Sequence, residues 1–66
     1  MGRSTRQEVQ RRIKGMVTQI DQFEMNLEVI LNLGQGRSAV IEEYALILFQ
    51  GSEALRVLTN DLYSKF

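Results

Sequence analysis

Residues 31–40, LNLGQGRSAV, hold the clearest match to a chemical motif in this 66-residue chain. Gly34-Gln35-Gly36-Arg37-Ser38-Ala39 fits the pattern G-x-G-x-x-G/A of a dinucleotide-binding turn, and the acidic Glu53 follows Gly34 at roughly the ~20-residue interval that a ribose-binding carboxylate requires. That chemistry depends on context: a strand before the glycines, a helix after them, and a second parallel strand to complete the unit. Here a helical repeat precedes the glycines and no second strand pattern follows, so a helix–helix turn is expected. The free amides of a helix starting at Ser38, with Arg37 beside them, are the part of the motif that can still attract an anion.

The remaining reactive side chains are sparse. Asp21, Glu24 and Glu28 recur at helical spacing, which is expected to place three carboxylates on the exposed side of a first helix. Such a set can draw a divalent cation, but a solvated face is the simpler expectation. Ser38 and Ser52 are the candidate hydroxyl nucleophiles, and the chain contains no His to activate either. With no Cys and no His, a zinc site of nitrogen and sulfur ligands is excluded. The expectation is a non-enzymatic protein with no catalytic residues, no metal, no cofactor and no small-molecule substrate.

Charge supplies a rival signal. The chain is neutral overall, yet Arg3, Arg6, Arg11, Arg12 and Lys14 face only Glu8 within the first fourteen residues. The remainder carries three cations against seven acids, so the molecule is a charge dipole along its length. The five cations, including a basic arm over residues 1–6, are candidates for binding an anionic partner such as RNA or DNA through phosphate contacts. No aromatic residue is interleaved with them to stack on bases, which removes the commonest single-strand mode.

These groups must be positioned by helices. The chain lacks Pro, is 44 % apolar, and shows strict periodicity. Val9, Ile13, Met16, Ile20, Phe23, Leu27 and Ile30 are spaced alternately by four and three residues, a heptad stripe that predicts a first helix over about 5–33. Val17 and Leu31 widen the stripe. Ser4 or Thr5 is the expected N-cap, with Glu8 completing a capping box from Thr5. Gly34 or Gly36 ends the pattern, the turn is expected over 34–37, and Ser38 caps a second helix over about 38–65.

In that second segment Ile41, Tyr44, Leu48, Leu55, Leu58 and Leu62 form a stripe expected to pack on the first helix, with Gly51 filling its one missing place. Val40, Ile47 and Ala54 flank it. Leu46, Phe49, Val57 and Tyr63 lie off the stripe, so a second apolar face is expected and these four are the candidate partner interface. Gly51-Ser52 is also a place where the helix can kink or break.

The predicted fold is therefore all-α: a single-domain antiparallel helical hairpin that completes a helical bundle with a second chain. So short a chain, without disulfide or zinc, depends on good helix packing or on oligomerisation. A homodimer or a complex with a second helical protein is expected, as an adaptor, assembly factor or co-chaperone. The start MGRSTRQEVQ has no apolar core of a signal peptide, and YALILF is too short to span a bilayer, so a cytoplasmic protein without a membrane partner is expected.

Two small hairpin families are similar in parts. TRQE, residues 5–8, resembles the start of Rop, the plasmid copy-number regulators, whose dimeric four-helix bundles bind paired RNA loops. That resemblance implies an alternative function, a dimeric regulator binding RNA or DNA through its basic N-terminal region. Asp21, Glu24 and Glu28 depart from it, standing where an RNA-binding face is polar to basic. QFEMNLEVI (22–30) and SEALRVL (52–58) are similar in texture to the E-type co-chaperones of type III secretion, which implies a hairpin that pairs with a second chaperone.

Overall fold

The computed structural model describes residues 3–66 as two helices, α1 (Arg3–Gly34) and α2 (Ala39–Ser64), packed side by side as a hairpin. The rod measures 54 × 15 × 11 Å. At about 1.5 Å of rise per residue, one long helix accounts for nearly all of its length. No strand occurs among the described residues, so the YALILF segment is helical.

The N-terminal cap expected at Ser4 or Thr5 is corrected. α1 is already helical at Arg3, so both residues lie inside its first turn, and residues 1–2 of the expected basic arm lie outside the described residues. The box that Glu8 was expected to close with Thr5 loses to charge. Glu8 takes Arg11 at 2.6 Å and Arg12 at 3.2 Å instead, and a charge-assisted pair outcompetes a neutral amide for the carboxylate. These pairs are exposed, and their worth is correspondingly small.

The turn takes the form that its residue types demand. Gly34 is the last residue of α1, and its carbonyl accepts from the amides of Arg37 (3.0 Å) and Ser38 (2.9 Å). Gly36 occupies the left-handed region at φ 74°, where a side chain would be strained, and donates its amide to Glu42 Oε1 at 3.0 Å. Ser38 is extended (φ −142°, ψ 109°), and its Oγ accepts from the Ile41 amide at 3.2 Å as the N-cap of α2. The two glycines divide the work: Gly34 permits contact and Gly36 permits the bend. A Cβ on Gly34 would stand 2.6–2.8 Å from three carbons of Ile41.

α2 runs unbroken through Gly51-Ser52. The stripe expected to face α1 does not do so, and this is the principal correction. The seam consists of Ile13, Ile20, Leu27 and Gly34 on α1, every seventh residue, against Ala45, Ser52 and Thr59 on α2, again every seventh. Ile41, from the expected stripe, is half-buried against Gly34. Tyr44, Leu48, Leu55, Leu58 and Leu62 stay exposed, Leu55 at 57 % and Leu58 at 64 %. On α1 the heptad holds, but only alternate members are covered, and Met16, Phe23 and Ile30 stand at the edge of the seam.

Small side chains in the seam let two backbones approach, and here they do so at the expense of leucine burial. The physical reason for that choice lies in polar pairs across the seam, described below. One consequence is a large surface: 5376 Å², about a quarter more than the ~4300 Å² usual for a folded monomer of this 7.6 kDa mass.

Two glycine substitutions are expected to act in opposite directions. Gly34→Ala should destabilise the hairpin by about 1–3 kcal/mol through overpacking on Ile41. At Gly51 an added Cβ meets nothing within 4 Å, so Gly51→Ala should stabilise the helix by up to about 1 kcal/mol. Urea unfolding followed by circular dichroism, at protein concentrations low enough that the midpoint no longer depends on concentration, measures both, and destabilisation of the single hairpin by Gly51→Ala would contradict the open geometry at that position.

Candidate functional site

The seam divides the long surface into two flanks of different chemistry. On one flank lies an apolar groove of about 570 Å³, lined from α1 by Met16, Ile20 and Phe23 and from α2 by Ile47, Leu48 and Leu55, with Gly51 in its lining. Helical spacing extends this flank in both directions. Ile30 lies seven residues beyond Phe23, Leu62 seven beyond Leu55, and Tyr44 and Leu58 seven to either side of Gly51. All of these side chains are exposed. α1 contributes the neutral Gln19 to the lining, and among the described residues no charged one lines the groove.

The opposite flank carries the charges. Arg56 Nη2 lies 2.7 Å from Asp21 Oδ1 and 2.7 Å from Glu24 Oε1, while its Nε lies 3.1 Å from Glu53 Oε2. Ser52 Oγ, on a residue only 2 % exposed, reaches Glu24 Oε2 at 2.6 Å and the Phe49 carbonyl at 2.8 Å, so its single proton is shared between two acceptors. Glu24 is thus corrected from an expected member of the exposed acidic face to a half-buried residue that spans the seam. Asp21 and Glu28 remain exposed. Among the described residues no group of three acidic or other ligating side chains is placed to hold a metal ion.

The electrostatics of this cluster follow from its contacts. The Glu24 carboxyl is held down to about 2, first by hydrogen bonding with the neighbouring Glu53 carboxyl, then by the Ser52 hydroxyl, and further by Arg56. Arg56 is pushed above its ordinary range by Asp21 first, then by Glu24 and Glu53. Both shifts favour the charged forms, as expected of charges satisfied in place rather than poised for proton transfer. Beside the cluster a second hollow, of about 430 Å³, is lined by Leu27, Glu28, Leu31, Glu42, Ala45, Leu46 and Phe49.

The candidate interface residues separate accordingly. Leu46 and Phe49 are exposed on the charged flank, and Val57 is exposed at 67 %. Tyr63 is half-buried, with Lys14 Nζ 5.9 Å from its ring centroid, so that this aromatic belongs partly to the hairpin itself. The larger apolar groove comes instead from residues that periodicity assigned to the hairpin's own core. Their signal was present as apolar type and spacing; what was missing was the rotation of α2.

The candidate anion-binding residues are also dispersed. Arg11 and Arg12 share Glu8, whose carboxyl is held low chiefly by its hydrogen bond with Arg11 and then by the nearby Arg11 and Arg12 charges. Lys14 sits over Tyr63, the Arg6 side chain is exposed, and the Arg3 side chain lies outside the described residues. At the turn, the Gly36 amide is already given to Glu42, a carboxylate where the dinucleotide reading would need a phosphate. Among the described residues no helix is long and apolar enough to cross a membrane.

No protein-family model, no curated protein and no solved structure matches the chain.

A pH dependence follows from Glu24. An unfolded chain takes up a proton near the ordinary value of 4.5, whereas the folded chain refuses it until about 2. Stability from this group is therefore present above 4.5 and lost as the pH falls from 4.5 toward 2. Glu24→Gln should lower stability at neutral pH and flatten the acid limb of a denaturation profile. An unchanged acid limb in that variant would show that the Glu24 contacts with Ser52 and Arg56 contribute nothing.

Proposed function

We propose that this protein is a non-enzymatic helix-packing module, an adaptor, assembly factor or co-chaperone that acts by docking its apolar flank on another helical chain. The observation that carries this reading is the groove of Met16, Phe23, Leu48, Gly51 and Leu55, left open because the hairpin closes on Ala45, Ser52 and Thr59 instead of its leucines. Contiguous apolar surface on this scale, free of charge and flanked by polar residues, marks an interaction site rather than ordinary solvent-facing surface. Helix-in-groove recognition uses anchors at i, i+3, i+4 and i+7, the spacing that this flank displays.

The charged flank supports the same reading by contrast. Its cluster is internally satisfied, so it lends rigidity to the hairpin while leaving the apolar flank as the surface with interactions still to make. Leu46 and Phe49 line a lesser hollow on the other side, available to a larger bundle. A cytoplasmic setting accords with a cysteine-free chain.

The test uses a generic probe, a peptide with leucine at heptad positions a and d, together with the purified chain. Self-association by sedimentation, or binding of the peptide, is the expected result. The double variant Leu48→Lys/Leu55→Lys should lose either one at least tenfold, or roughly 1.4 kcal/mol, while keeping its helical circular dichroism. Phe49→Asp should do less damage than that pair. A chain that neither self-associates nor takes the peptide would sink the helix-docking reading.

A further inference from the structure

We infer that the occupant of the apolar groove is a second copy of this chain, laid antiparallel along the flank with Gly51 near the centre of the contact. The inference rests on the helix-docking reading above and names the partner that it leaves open.

Gly51 is the first observation. It lies in the interior of α2, in helical conformation, where glycine is about 1 kcal/mol less favourable than alanine. The hairpin does not need it there, because a Cβ would meet nothing within 4 Å. Gly34 and Gly36, by contrast, are explained by the Ile41 contact and by the turn, and Gly15, equally open inside α1, does not line the groove. In the stripe Tyr44–Gly51–Leu58 the glycine replaces a large side chain with a hollow, at the level where Phe23 and Met16 rim the groove from α1. A hollow beside projecting side chains, midway along a rod, is self-complementary under a two-fold axis: the rim of one copy enters the hollow of the other.

Area is the second observation. The broad face of the rod, 54 Å by 15 Å, has a footprint of roughly 800 Å², comparable with what each side contributes to a standard stable interface. A second copy runs the full length of the flank, whereas a short helix would cover little beyond the groove at its middle.

Charge sets the orientation. The open end of the rod holds Arg6, Arg11, Arg12, Lys14 and Lys65 against Glu8 and Asp61, and the turn end holds Glu28, Glu42 and Glu43 against Arg37 alone. A parallel pair would bring like ends together. Reversing one copy sets each basic end beside an acidic end and favours that register in encounter and specificity. Neutrality of the whole chain means that two copies come together without net repulsion.

The test is sedimentation equilibrium combined with one distance. Because the chain has no Cys, Gln35→Cys in the exposed turn accepts a single spin label. A dimer at micromolar concentration is expected, with label-to-label distances of about 40 Å or more, since the turns would lie near opposite ends of the assembly. Gly51→Leu should raise the dimer dissociation constant at least tenfold with no loss of helical signal. Labels within about 20 Å in the dimer would overturn the antiparallel arrangement. A dimer indifferent to Gly51→Leu would overturn the placement on this groove. A monomeric chain would overturn the second-copy inference by itself, and the heptad peptide would then decide separately whether the helix-docking reading survives.

Discussion

The rotation of α2 about its own axis governs the rest of this molecule, and the contact that holds that rotation is Ser52 against Glu24, with Arg56 closing the cluster. A buried hydroxyl and a half-buried carboxylate are expensive to leave without partners. Once Ser52 points at Glu24, Ala45 and Thr59 follow it into the seam by heptad spacing, and the leucines at 48, 55 and 62 are carried to the flank. Turning those leucines inward would rotate Ser52 away from Glu24. The hairpin thus trades apolar burial within one chain for a satisfied polar contact and an exposed apolar groove.

The same rotation gives the two flanks their separate characters. Arg56 is the lone cation of α2, and it faces three carboxylates drawn from both helices. Concentrating charge there leaves the lining of the groove, among the described residues, without any. Sidedness of this kind is more informative than overall hydropathy, because it says which surface can be desolvated without burying an unpaired charge. The proposed docking of a helical chain, and of a second copy in particular, draws on that asymmetry.

At the turn, the motif that suggests a nucleotide proves to be made of parts with separate structural duties. Gly34 allows Ile41 to close on the end of α1, Gly36 supplies the left-handed residue, and Ser38 caps α2. A carboxylate, Glu42, occupies the amide that a phosphate would seek. Each glycine is accounted for by geometry within a few ångströms, so the likeness to a dinucleotide fingerprint reflects shared backbone needs of a tight turn that opens a helix.

Much of the architecture was legible in the residues themselves. Alternating spacings of four and three from Val9 to Ile30 specify a helix, because only that period keeps Ile13, Ile20 and Leu27 on one face. Glycines and a serine between two such runs specify a capped turn, because local backbone conformation and capping bonds depend on neighbouring residues alone. The N-terminal cap was less legible, since helix extension and the pull of Arg11 and Arg12 on Glu8 compete with a neutral hydroxyl by small margins. Which face of α2 meets α1 was not legible at all. Apolar residues lie on several sides of α2, so periodicity offers several rotations of similar apolar burial. The decision came from Ser52, Glu24 and Arg56, residues 28 and 32 positions apart in the chain whose pairing exists only once the helices are side by side. Residue type and spacing thus determined two helices and the turn between them, whereas tertiary contact decided which side of α2 is core and which is left open, because polar pairing across a seam depends on distance in space and leaves no period in the sequence.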